Sequence, residues 1–102
     1  MESVKQFFES LPEVVPAGRT AGITHSYLFH ITDVGTWLVD VNDGSVSVTE
    51  GGAEADVRIG MSEETFRRLV AREQNPLRGF MTGKIKVDGD MGAATKLGKL
   101  FG

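Results

Sequence analysis

The sequence predicts an α+β fold, a five-stranded mixed or antiparallel sheet covered on one face by helices. Two observations predict it. Five stretches alternate apolar and polar residues with the period of a strand, and four others space their apolar residues as a helix does. Their order is helix, three-strand meander, strand, two helices, strand, helix. A meander followed by a helical crossover puts strands of both directions in one sheet with the helices on one side.

Val4, Phe7, Phe8 and Leu11 follow i, i+3, i+4, i+7, so the chain opens with an amphipathic helix that Ser3 caps and Pro12 ends. "PEVVPAGRTAG" reads as a loop, since two prolines and two glycines punctuate it. Tyr27, Phe29 and Ile31 then alternate with Ser26, Leu28 and His30 in a first strand, and Asp33-Val34-Gly35 turns the chain. Trp37, Val39 and Val41 mark the second strand. Asn42-Asp43-Gly44 is a hairpin signal, because aspartate and glycine tolerate positive φ. Val46 and Val48 form a third strand that Gly51-Gly52 breaks, and Ala55, Val57, Ile59 and Met61 form a fourth.

The period changes in "SEETFRRLVARE", where Ser62 is a good N-cap. Glu63 and Glu64 suit the positive end of the dipole, and Arg72 the other. Phe66, Leu69 and Val70 make its buried stripe. Asn75-Pro76 starts a short helix that Gly83 stops. Ile85 and Val87 form the fifth strand, and Asp90 caps a last helix in which Met91, Ala94, Leu97 and Phe101 share a face.

Composition excludes several functions. The 102 residues carry a net charge of −3, which disfavours nucleic acid, because phosphate neutralisation needs a basic surface. No cysteine is present, so disulfides, thiolate nucleophiles and zinc-thiolate sites are absent. No apolar run reaches the ~20 residues that span a bilayer. "MESVKQFFESLPE" interrupts its apolar positions with charges, unlike a signal peptide, and Leu100-Phe101-Gly102 is not a peroxisomal terminus. A cytoplasmic location and one domain over residues 1–102 are the resulting expectations.

"NPLRGFMTGKIKVDGDM" places Gly79, Gly83 and Gly89 near Lys84, as a phosphate loop would. The spacing between Gly79 and Gly83-Lys84 is one residue short of a Walker A loop, and Ile85 stands where Ser or Thr must bind magnesium. The segment also runs from helix to strand, whereas a phosphate loop leads into a helix N-terminus. His25 and His30 lie five apart on one strand and face opposite ways, so they share no metal. The carboxylates read as caps, turn residues and solvated faces. No nucleophile, base and oxyanion donor assemble, so neither enzymatic activity nor a cofactor is expected.

What remains is apolar. The helical half holds two methionines and three phenylalanines beside small Ala94 and Gly98, a mixture suited to an adaptable cavity as well as to a plain core. "TWLVDVNDGSVSV", "EADVRIGMSEETFRRLV" and "NPLRGFMTGKIKVDGDMGAATKL" together resemble the type 2 sterol carrier protein domain. The matching positions are Trp37, Val39, Asp40, Gly44, Ala55, Asp56, Asn75, Pro76, Phe80, Gly83, Lys84, Gly89, Asp90 and Met91. They run from about Tyr27 to Leu100. The resemblance implies an apolar tunnel between sheet and helices that binds lipids without covalent chemistry: sterols, fatty acids, fatty acyl-CoAs or phospholipids. It maps the tunnel wall onto Phe66, Leu69, Val70, Phe80, Met81, Ile85, Met91, Ala94, Leu97 and Leu100. Gly98 stands where eukaryotic carriers usually place glutamine.

The expected partner is therefore a small hydrophobic ligand, with no nucleic acid, no more than transient membrane contact, and a homodimer as a candidate assembly. The alternative is an accessory or oligomerisation module of the same fold, whose apolar cleft is filled by its own side chains or by a partner.

Overall fold

The computed structural model describes residues 3–15, 17–52 and 54–96. Its elements run α1 (Val4–Val14), α2 (Ala17–Thr20), β1 (Thr24–Ile31), β2 (Gly35–Asn42), β3 (Ser45–Glu50), β4 (Val57–Met61), α3 (Glu63–Val70), α4 (Pro76–Met81), β5 (Ile85–Gly89) and α5 (Met91–Ala94). The five strands form one sheet in the order β3-β2-β1-β4-β5. Only the β1–β4 pair is parallel, so the sheet is mixed and the fold is α+β.

Register follows from the alternation. Phe29 lies opposite Trp37 on one side and Ile59 on the other, and Tyr27 lies between Val39 and Val57. These residues share one face of the sheet and are buried. The β2–β3 hairpin closes through Asp43 and Gly44, at φ 43° and 94°, the left-handed pair that a two-residue turn between twisted strands requires.

Helix α1 packs an aromatic wedge onto that face. Phe8 stacks on Trp37 with ring centroids 4.8 Å apart, and it meets Phe66 of α3 at 5.2 Å. Val4, Phe8 and Leu11, one stripe of α1, are fully buried. The helix does not stop at Pro12 but continues to Val14. Proline deletes only its own amide bond, and the Val15 N–H still closes the last turn on the Leu11 carbonyl at 3.2 Å.

The segment expected as a loop also contains α2. The β2–β3 turn holds this region: the Gly44 N–H bonds the Thr20 carbonyl at 3.3 Å, and the Gly22 N–H bonds Asp43 Oδ1 at 2.7 Å. A third difference lies at the end of α3. Arg72 stands outside the helix at φ 63°, and Arg67 and Arg68 occupy the last turn instead. The Glu73 N–H reaches back to the Arg68 carbonyl at 2.8 Å and finishes the helix there.

Strands β3 and β4 run parallel with two strands between them, yet residues 51–56 alone connect them. Gly51 and Gly52, at φ 92° and 102°, turn the chain sharply out of β3. A Cβ on Gly52 would lie 3.3–3.4 Å from Leu38 and Leu28. Both leucines alternate out of the aromatic core, so the connector crosses the face of the sheet opposite that core. This crossing is why Leu28 is only 7% exposed although its strand neighbours on that face are polar.

Candidate functional site

The core-side face at the β4–β5 end is covered by the two shortest helices of the second half. Asn75 caps α4 by accepting the Arg78 N–H on Oδ1 at 3.1 Å, and the Lys84 N–H bonds the Gly79 carbonyl at 2.9 Å as the chain leaves for β5. Gly79 faces Ile85, where a Cβ would lie 2.6 Å from Ile85 Cδ1. The absent side chain lets α4 sit directly on β5.

Asp90 caps α5 through the Ala93 N–H at 3.1 Å, and its own N–H bonds the Asp56 carbonyl at 2.9 Å. The Tyr27 hydroxyl donates to the Ala93 carbonyl oxygen at 2.8 Å, so α5 is anchored on the middle strand of the sheet. Burial pushes the Tyr27 phenol above its ordinary pKa, with the Asp56 and Asp90 carboxylates adding to the shift. Asp56 also accepts the Ser26 N–H at 3.1 Å, while its N–H bonds Ser26 Oγ at 3.0 Å. These bonds seat the start of the parallel β1–β4 pair. Its carboxylate lies 3.5 Å from His25 Nδ1.

The residues expected to form a tunnel wall divide into two sets. Phe66, Leu69 and Ile85 are buried in the core, with Val70 and Ala94 half-buried against it. Phe80, Met81 and Met91 are exposed by 40%, 75% and 48%. Leu97 and Leu100, with Gly98 and Phe101, lie outside the described residues. Two partners of this site escaped the sequence reading. Ala93, not Ala94, is the fully buried alanine of α5, and Tyr27 holds it. A tyrosine on the apolar face of a strand needs a partner for its hydroxyl, a signal that was present in the sequence.

Two hollows open on the surface, and among the described residues the first shares only Val70 with the expected wall. One, of about 720 Å³, runs along α3 beside Glu63, Arg67, Val70 and Glu73. The other, of about 450 Å³, lies on the opposite face of the sheet, where His30, Gly60 and Lys86 line it. His25 and His30 do point to different faces: His30 Nδ1 meets Thr36 Oγ1 at 3.1 Å on that second face. Among the described residues, no group of three or more His, Asp or Glu side chains is placed to hold a metal ion. Nor is any helix among them long and apolar enough to cross a membrane.

The architecture is an α+β mixed sheet with an apolar helical layer, and comparison with known proteins shows the family to which it belongs. The SCP-2 sterol transfer family matches residues 4–102, and the chain belongs to that family. It is 33% identical over 96 residues to hydroxysteroid dehydrogenase-like protein 2 of Xenopus tropicalis, covering 92% of this chain and 23% of that protein. It is 41% identical over 66 residues to sterol carrier protein 2 of Homo sapiens, covering 64% of this chain and 12% of that protein. The chain thus spans a quarter or less of the length of these two relatives. Among solved structures, apo sterol carrier protein 2 from Yarrowia lipolytica superposes with a TM-score of 0.74 at 27% identity, over 92% of this chain and 86% of that one.

Proposed function

We propose that this chain binds lipids and passes them on without catalysing a reaction, using an apolar tunnel between the helices and the sheet. The ligands in this reading are fatty acids, fatty acyl-CoAs, phospholipids or sterol-like molecules. The module acts as one domain over residues 1–102, and the setting is the cytoplasm.

The observation that carries the reading is the split within the expected wall. Phe80, Met81 and Met91 present large apolar side chains to solvent on the helical layer, while Phe66 and Leu69 of α3 and Ile85 of β5 are buried. Buried residues supply a floor, and exposed flexible thioethers supply a lip that adapts to a chain of variable shape. Burial of about ten methylenes at ~0.8 kcal/mol each approaches micromolar affinity before ordering costs, with no catalyst involved.

Native mass spectrometry after gentle purification tests the proposal by detecting a co-purified lipid, and a fluorescent acyl probe tests it by titration. Absence of both a retained lipid and micromolar probe binding would reject it. The exposed trio favours one other reading, in which a second copy or another protein covers it and the domain serves assembly. Light scattering over a range of concentrations separates the two, since assembly through this surface raises the mass without any lipid.

A further inference from the structure

The face of the sheet opposite the aromatic core contains an arrangement that the lipid proposal does not use. Across the strands β2, β1, β4 and β5 the register aligns Thr36, His30, Gly60 and Lys86 in one row. Strand alternation sends this row away from Phe29 and Ile59. Gly60 sits inside β4, a strand paired on both sides, where glycine weakens a sheet and offers nothing to pack. The usual structural reasons for it are missing. Its φ is not positive, and among the described residues an added Cβ would meet only the His30 carbonyl, at an ordinary 3.9 Å. The missing side chain leaves the sheet surface open between His30 and Lys86, and close approach of a ligand is one role that a strand glycine takes.

The surroundings define what would approach. His30 and Lys86 flank Gly60 at two strand spacings from each other, about 10 Å, a gap that takes a carboxylate or phosphate group. Lys86 is exposed and has no ion-pair partner among the described residues. His30 is held by Thr36 through Nδ1. In the tautomer whose Nδ1 accepts from the hydroxyl, the ring proton sits on Nε2, where it can be offered to an anion. Arg58, two residues before Gly60 on the same face, forms the rim and is neutralised by Asp88, to which its guanidinium is bonded. At the other end of the hollow, Leu28 is buried beneath Gly52 and supplies an apolar wall. The volume of about 450 Å³ falls within the range of small-molecule sites.

We infer that this hollow binds a small organic anion, with the acidic group over Gly60 between His30 and Lys86 and a short apolar body against Leu28. The site is separate from the proposed lipid tunnel, so either stands without the other.

Amide chemical shifts of the full chain, titrated with sodium benzoate, test the inference. Saturable shifts at Gly52, Gly60 and Lys86, with a Kd on the order of 1 mM or tighter, are the expected result. Benzyl alcohol, of similar shape but neutral, leaves those amides unmoved. Inorganic phosphate, which lacks the apolar body, binds more weakly than benzoate. Gly60→Val fills the hollow with a residue that strands favour, and it abolishes the shifts while the protein stays folded. Lys86→Glu, an exposed change on an edge strand, weakens benzoate about tenfold or more and decides the matter should the valine variant not fold. Equal responses to benzoate and benzyl alcohol, no saturable response, phosphate binding at least as tight as benzoate, or retained binding in Lys86→Glu each overturn it.

Discussion

The Tyr27 hydroxyl donates a 2.8 Å hydrogen bond to the Ala93 carbonyl oxygen, joining residues 66 positions apart, and both residues are 1% exposed. A four-residue helix has no stability of its own, so α5 depends on this bond, on its cap at Asp90 and on its packing. Tyr27→Phe keeps the ring and removes the donor, leaving the Ala93 carbonyl oxygen to the backbone, where it still accepts the Lys96 N–H at 3.1 Å. The expected loss is about 0.5–1.5 kcal/mol in urea unfolding, together with faster hydrogen exchange at the amides of α5. A loss confined to global stability, with α5 exchange unchanged, would show that the bond does not anchor the helix.

The same phenol makes stability fall at high pH. Its folded pKa is raised above the unfolded value near 10, first by burial and then by the Asp56 and Asp90 carboxylates. Once pH exceeds the unfolded value, the unfolded chain has released a proton that the folded chain still holds. Stability is therefore complete below about pH 10 and is lost as pH rises through the folded pKa. Denaturant midpoints measured from neutral pH upward should show the wild type falling more steeply than Tyr27→Phe. Parallel curves would contradict the assignment.

On the other face, the Arg58 guanidinium bonded to Asp88 holds the carboxyl below its ordinary pKa. Carbon-detected titration of Asp88 in Arg58→Gln should move its midpoint upward, toward that of a free aspartate. Because both side chains are largely exposed, global stability should change little. An unshifted midpoint would mean that the pair does not persist in solution.

Period and punctuation made most of this fold legible. The hairpin at Asp43-Gly44, the caps Ser3, Ser62, Asn75 and Asp90, and the five strands all stand where alternation and capping chemistry place them. What failed depended on contacts distant in sequence. The hairpin turn holds α2 through Thr20 and Asp43, and the α1 stripe stays helical past Pro12 because Phe8 and Leu11 are buried by other elements. At the candidate site, the spacing of Phe66 and Leu69 on α3 and the alternation of Ile85 marked three residues that the structure buries. They did not reveal that Phe80, Met81 and Met91 face solvent, because a stripe of apolar residues looks the same whether or not something covers it.

The aromatic wedge of α1 gives a contrast between interior and lip. Phe8 is fully buried among Trp37, Phe29 and Phe66, so Phe8→Ala should cost about 3–5 kcal/mol, enough to unfold a marginal domain. Phe8→Leu, which keeps most of the volume, should cost distinctly less. Thermal melts of the two variants check the order, and equal losses would imply that ring stacking, not filled volume, dominates.

Met81 and Met91 should behave in the opposite way. Exposed by 75% and 48%, they have little burial to lose, and Met81→Gln with Met91→Gln should leave the melting temperature nearly unchanged. If they form the lip of a lipid site, each substitution removes apolar contact worth about 1 kcal/mol, and the double variant should bind a fluorescent acyl probe about tenfold more weakly or worse. The buried residues cannot supply so clean a test, because substituting Phe66 or Ile85 damages the core and lowers probe binding whatever the site. An unchanged probe affinity in the stable double variant would remove these methionines from the lipid site. A weaker affinity at an unchanged melting temperature would assign the lip a binding role that folding does not account for.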